Sequence, residues 1–131
     1  MNEMDLHPVA GVYLGACEAN IKKPGKTDLV IVELAEGSRT AATFTKNAFC
    51  AAPVTVARDN LKSAAPRALI INSGNANAGT GEQGMVDALQ TCEWVSKEIG
   101  CDENQVLPFS TGVIGQNLSL IHISEPTRPL H

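Results

Sequence analysis

Two turns of small residues hold the side chains that could do chemistry in this chain. The first, Gly79-Thr80-Gly81-Glu82-Gln83-Gly84, spells GxGxxG ahead of a helix-like segment, with Asp102 farther on. Such a pattern binds dinucleotides when its first glycine closes a strand directly, because backbone amides then approach a pyrophosphate at a helix N-terminus. Here Ser73 to Ala78 intervene, and the segments upstream read as meandering strands instead of a βαβ unit. The better reading is a glycine-rich helix start whose backbone bends tightly. A nucleotide-binding module built on Gly79 to Gly84 is kept as an alternative. A Walker A loop is excluded, since no Gly-Lys-Ser/Thr follows Gly81. Asn72, Asn75 and Asn77 bracket the loop. Asparagine tolerates left-handed backbone and bonds nearby peptide groups, so two readings stand: a self-bonded loop, or a polar wall of a ligand site beside a helix N-terminus, where carboxylates are favoured.

The second turn, Ser110-Thr111-Gly112, puts two hydroxyls and an unobstructed N–H together at a strand end. Donors fixed before a reaction stabilise an oxyanion as its charge develops, and each is worth about 10²–10³ in rate. An ordinary turn has the same composition. His7, His122 and His131 fall near the ends of the sequence, and no Ser/His/Asp or Cys/His arrangement can be assembled from them. Trp94 reads as a packing residue, and Lys22-Lys23-Pro24-Gly25-Lys26 as a solvated turn.

The elements that must position these turns are short. Val9 to Leu14 and Leu29 to Leu34 read as strands, as do Thr40 to Thr45 and Val54 to Ala57, the last headed by Pro53. Ala68 to Asn72 is a continuous apolar run, the pattern of a strand covered on both faces. From Glu82, the residues Met85, Leu89, Cys92, Val95 and Ile99 recur at helical spacing until Gly100 stops them. Thr80 and Gln83 form a capping-box pattern at the helix start. Val106 to Phe109 is a further strand. One helix among several strands indicates a layered α/β or α+β arrangement.

With ten Lys and Arg against fourteen Asp and Glu, the 131 residues carry a net charge of -4. A nucleic-acid partner is therefore not expected, for want of a basic face. No apolar run approaches the roughly 20 residues of a membrane helix, and the first eight residues show neither a basic n-region nor an apolar h-region. Cys17, Cys50, Cys92 and Cys101 lie 33, 42 and 9 residues apart, which suits neither a metal site nor a disulfide framework and points to free thiols in the cytoplasm.

Taken together, Pro8-Val9-Ala10-Gly11, Ile21-Lys22-Lys23-Pro24-Gly25, Ala51-Ala52-Pro53-Val54, the stretch Ile71 to Gly84 and Ser110-Thr111-Gly112-Val113-Ile114-Gly115 carry a resemblance. The chain resembles the N-terminal part of the ornithine acetyltransferase family, also called glutamate N-acetyltransferases, of arginine biosynthesis. The resemblance covers about Pro8 to Leu118. It implies an incomplete α/β fold, an α+β layered sandwich of the self-cleaving ornithine acetyltransferase/aminopeptidase type. It further implies acetyl transfer from N-acetylornithine to glutamate, without a cofactor, some members accepting acetyl-CoA as a substrate. Family precursors cut themselves at an Ala-Thr bond, and the freed threonine is the nucleophile. Thr111, through its hydroxyl, and Gly112, through its N–H, correspond to the oxyanion hole.

The resemblance also implies what to expect elsewhere: a separate C-terminal (β) chain as partner and an α2β2 hetero-oligomer. The Met-Ala-Thr-Met cleavage signature is not in this sequence. Ala42-Thr43 is its one Ala-Thr pair and falls in an expected strand, so it reads as packing. Residues 1–118 are thus expected to be an α-chain-like part that is inactive alone. Ser119 to His131 departs from the family pattern and is expected to be a foreign or frame-shifted tail that packs poorly. A relative of the self-processing aminopeptidases is the other alternative.

Overall fold

The computed structural model describes residues 7–18 and 27–116 and the backbone of 129–130. Its elements are β1 (Val12–Cys17), β2 (Leu29–Leu34), α1 (Ala52–Ser63), β3 (Ala68–Asn75), α2 (Gly81–Ile99), β4 (Val106–Val113) and β5 (Pro129–Leu130). They build one sheet in the order β4-β3-β2-β1-β5. The pairs β1–β2, β2–β3 and β1–β5 are antiparallel, whereas β3 and β4 run parallel because α2 carries the chain back to the starting edge. The GxGxxG turn therefore does lie within a βαβ unit, although the strands before it form the expected meander. β5 belongs to the segment read as a tail, and its two residues pair with Leu14 and Gly15; the rest of that segment, like the Lys22 to Lys26 turn, lies outside the described residues.

Alternation along the strands sends Leu29, Ala68, Ile70 and Val106 to one face, where α1 and α2 cover them with Ala52, Val56, Ala88, Cys92 and Val95. Burying each Val, Leu or Ile here contributes about 1.5–3 kcal/mol. Trp94 packs at the margin of this core, as its position implied. The run Ala68 to Asn72 is not covered equally on both sides: Ala68, Ile70 and Asn72 are buried, while Leu69 and Ile71 on the opposite face are half-buried.

Two expected strands are absent. Thr40 to Thr45 is irregular and largely exposed, so the Ala42-Thr43 pair sits on an open segment instead of in a packed strand. Val54 to Ala57 lies inside α1. Pro53 occupies the first turn of that helix, where its missing N–H is no loss, instead of heading a strand. Val56 and Ala57 then face the core one turn before Asn60, whose Nδ2 donates to the Val106 carbonyl at 2.8 Å. Tertiary contact thus overrides the β-branched preference of Val54, Thr55 and Val56.

The helix foreseen from Glu82 forms as α2 and ends at Gly100, whose φ of 83° is the left-handed stop. Its buried stripe is rotated from the one read off the apolar spacing. Gly84, Asp87, Ala88, Thr91, Cys92, Val95 and Ser96 are buried, and Leu89 is 47% exposed. Small residues let the helix approach α1 and the sheet closely, which Leu89 would prevent.

Candidate functional site

β3 and β4 end at the same edge, where α2 begins, with Asn72 beside Ser110, Ser73 beside Thr111 and Gly74 beside Gly112. In α/β sheets the carboxyl ends of parallel strands are where ligands gather. Ser110 is half-buried there, and Thr111 and Gly112 are exposed. The two strands approach each other tightly: a Cβ on Gly112, whose φ is 131°, would lie 2.3 Å from the Gly74 carbonyl carbon and 2.5 Å from the Asn75 nitrogen. Pairing shifts register here, so that Asn75 lies opposite both Thr111 and Val113.

The asparagines hold this edge together. Ser110 Oγ donates to Asn72 Oδ1 at 2.5 Å, and Asn72 Nδ2 donates to the Asn75 carbonyl at 2.8 Å. Asn75 Oδ1 accepts the Asn77 N–H at 2.8 Å, while its Nδ2 donates to the Gln116 carbonyl at 2.9 Å. Asn77 Nδ2 reaches the Gly84 carbonyl at 2.9 Å. Backbone bonds from Ala76 N–H to the Val113 carbonyl and from Gly115 N–H to the Ala78 carbonyl close the unit. The side chains of Asn72, Asn75 and Asn77 are thus all bonded within this edge, and Asn72 and Asn75 do so from the end of β3 instead of from a loop. Asn77 also uses the left-handed tolerance of its residue type, with φ 50°.

The helix start differs from the expected capping box. Thr80 Oγ1 donates to Asn77 Oδ1 at 2.7 Å instead of accepting from a first-turn N–H, and Gln83 Nε2 donates forward to Asp87 Oδ1 at 2.8 Å. A Cβ on Gly84 would stand 1.8 Å from Thr80 Oγ1. Glycine at position 84 is thus required by the Thr80 side chain, with no phosphate invoked. Asp102 lies just before β4, beyond the far end of α2. A helix of 19 residues separates it from the glycine turn by about 28 Å, so the acidic partner of a dinucleotide fingerprint is out of reach.

Two hollows flank the edge. One, of about 290 Å³, is bounded by Phe44, Pro53, Val54, Pro108 and Phe109 and opens onto Ser110. The other, of about 210 Å³, lies between the starts of α1 and α2, against Cys50, Thr55 and Thr80. Neither was foreseen, because both depend on α1, whose first turn was read as a strand. The helix signal was present in Pro53 at a first-turn position and in the spacing of Ala52, Val56 and Asn60.

Cys50, Cys92 and Cys101 are free thiols; the Cys17 side chain lies outside the described residues. The Thr55 hydroxyl, 3.3 Å from Cys50 Sγ, holds that thiol below its ordinary range, with Arg58 acting in the same sense. Burial pushes Cys92 up to about 12, and burial also raises Cys101. Iodoacetamide at neutral pH should therefore alkylate Cys50 before Cys101, and Cys92 only on unfolding, as mass spectrometry of time points would record. Early labelling of Cys92 would contradict the burial. Because Cys92 holds its proton longer folded than unfolded, its contribution to stability is complete below the ordinary thiol value of 9.0 and falls as pH rises from there toward about 12.

A mixed sheet with two helices on one face, and polar donors gathered where its parallel strands end, defines part of an α/β protein. The ArgJ family pattern matches residues 13–130. This chain belongs to the ArgJ family. It is 54% identical over 120 residues to the arginine biosynthesis bifunctional protein ArgJ of Methylococcus capsulatus, covering 92% of this chain and 29% of that protein. The Pseudomonas syringae pv. tomato protein of the same name is 53% identical over 113 residues, covering 86% and 28%. The chain thus spans less than a third of these relatives. Among solved structures, ArgJ of Bacillus halodurans superposes with a TM-score of 0.83 at 30% identity, covering 88% of this chain and 60% of that one. Ornithine acetyltransferase of Mycobacterium tuberculosis, complexed with ornithine, gives a TM-score of 0.82 at 35% identity, covering 88% and 63%. The partial α/β fold expected from the sequence is the fold observed.

Proposed function

We propose that this chain is the oxyanion-hole portion of an enzyme that moves an acetyl group from N-acetylornithine to glutamate, acetyl-CoA being a second possible donor. The observation that carries the reading is the exposure of Thr111 and Gly112 at the shared end of β3 and β4, on a backbone pinned by buried asparagines. In the proposed reaction a threonine hydroxyl supplied by the rest of the protein attacks the amide carbonyl. The Thr111 hydroxyl and Gly112 N–H donate to the oxygen that becomes negative. Collapse of the adduct expels ornithine, whose nitrogen takes up the proton, and leaves the acetyl group as a threonine ester. The α-amine of glutamate then attacks the ester, and the threonine oxygen regains its proton as the acetyl group leaves.

Self-cleavage of a longer precursor would supply that threonine. Support comes from chain lengths: the aligned stretch is 29% of the Methylococcus capsulatus protein but 60% of the crystallised Bacillus halodurans chain, which is about half as long. The half-buried apolar face of β3 opposite the helices suits coverage by the remaining polypeptide, as an α2β2 assembly in the cytoplasm would provide. On this reading residues 1–118 are the enzyme's and 119–131 a foreign tail, even though the family match runs to residue 130; genomic sequence continuing in frame past the Leu118 codon into an Ala-Thr signature would support that boundary, and a stop after His131 would refute it.

The test places residues 8–118 in the corresponding part of the Methylococcus capsulatus protein, giving a full-length host. Thr111→Ala there should lower kcat by about 10²–10³ with little change in KM. The 131-residue chain alone should show no transfer. Undiminished kcat in Thr111→Ala would overturn the oxyanion role.

A further inference from the structure

We infer that Ser110, Asn72 and Asn75 are positioning residues that set the Thr111–Gly112 donors from both sides. The inference rests on the oxyanion reading above and adds the means by which its geometry is held. Thr111 and Gly112 are exposed, so solvent-side packing does not hold them. What flanks them is polar and anchored on buried asparagines. On the N-terminal side Ser110 Oγ donates to Asn72 Oδ1 at 2.5 Å, and Asn72 is 4% exposed. On the C-terminal side Asn75, 5% exposed, donates to the Gln116 carbonyl at 2.9 Å. The Asn72 amide donates to the Asn75 carbonyl at 2.8 Å, so both clamps belong to one network.

The network adds side-chain anchors to backbone that strand pairing with β3 already brings into place. Gly112 has a φ of 131° and no side chain, and a residue of that kind has wide conformational freedom unless its neighbours are held. Donors are effective in an oxyanion hole only when they are aimed before the charge forms, and a displacement of about 1 Å costs up to about a hundredfold in rate. Ser110 itself supplies the carbonyl of the peptide link to Thr111. Losing its anchor therefore moves the donors first, while the core under α1 and α2 is untouched.

A double-mutant cycle in the full-length host tests this. Ser110→Ala removes one hydroxyl from a half-buried site and opens no cavity. Its kcat for acetyl transfer should fall about ten- to a hundredfold, with KM within about twofold. Ser110→Thr, which keeps the hydroxyl, should recover most of the loss. In the Thr111→Ala background, adding Ser110→Ala should cost clearly less than it does in the unsubstituted host, because one of the two donors it positions is already gone and only the Gly112 N–H is left to be misplaced. A structural role would instead multiply the two losses. Multiplying losses, or an unchanged kcat in Ser110→Ala, would overturn the positioning role while leaving the oxyanion reading intact. Full activity in Thr111→Ala would sink the oxyanion reading itself, and this inference with it. If Ser110→Ala does not accumulate folded, Asn75→Asp gives the second arm. It keeps the acceptor for the Asn77 N–H and loses the donor to Gln116, and the same reduction of its effect in the Thr111→Ala background is expected; multiplied losses there overturn the role.

Discussion

Gly112→Ala should lower the unfolding free energy of the full-length host by about 2–5 kcal/mol, the sum of an overpacked contact and an unfavourable backbone angle. The added methyl would stand 2.3 Å from the Gly74 carbonyl carbon, 2.5 Å from the Asn75 nitrogen and 2.7 Å from the Gly74 α-carbon. All three are backbone atoms of the neighbouring strand, so no side chain can swing aside. Relief requires β3 and β4 to part where the asparagine network joins them, and acetyl transfer should be lost even at temperatures where the variant is folded. Gly115→Ala is the control. Gly115 also has a positive φ, 84°, but nothing lies within 4 Å of a Cβ there, so only the backbone cost of about 1–2 kcal/mol applies. Urea denaturation of both variants separates the two contributions; equal losses would show that close strand approach is not what demands glycine at position 112.

Asn77→Ala should cost about as much, about 3–5 kcal/mol, for different reasons. Asn77 is 1% exposed and ties together the starts of α1 and α2. Its Nδ2 donates to the Gly84 carbonyl in α2, its Oδ1 accepts from Thr80, and its carbonyl accepts the Ala52 N–H at the start of α1 at 3.2 Å. Alanine leaves the Gly84 carbonyl and the Thr80 hydroxyl without those partners, at about 1–3 kcal/mol each when buried. It also adopts the φ of 50° less readily than asparagine. Asn77→Gly, free of the backbone cost, should recover about 1–2 kcal/mol of the loss. Calorimetric melting of the pair checks this, and an identical fall in Tm would rule out the backbone share.

Local chemistry made much of the framework readable. Gly100 ends α2 because a left-handed residue was needed there, and glycine declares that on its own. Leu29 to Leu34 and Ala68 to Asn72 are strands because β-branched and apolar residues alternate or run together at strand length. The asparagine-rich stretch and Ser110-Thr111-Gly112 announced themselves by composition, and the family resemblance tied them to one site, although Ser110 to Gly112 lie inside β4 and not in the expected turn. Where reading failed, the deciding partner was distant in sequence. Val54 to Ala57 has strand-like residues, yet the segment is helical because Val56 and Asn60 meet α2 and β4. Thr80 looked like a cap, but Asn77 claims its hydroxyl.

By itself, then, the sequence determined the periodic elements, the glycine and asparagine punctuation and the membership of a family, since each depends on neighbours within a few residues or on a matching order of motifs. Only the tertiary structure decided that Asn72 meets Ser110 across 38 positions, that Gly112 lies against Gly74, and that the stripe on α2 turns Leu89 outward. Those outcomes follow from parallel pairing of β3 and β4 and from close helix packing. Their energies exist only between segments brought together by folding, and no local pattern of residues encodes them.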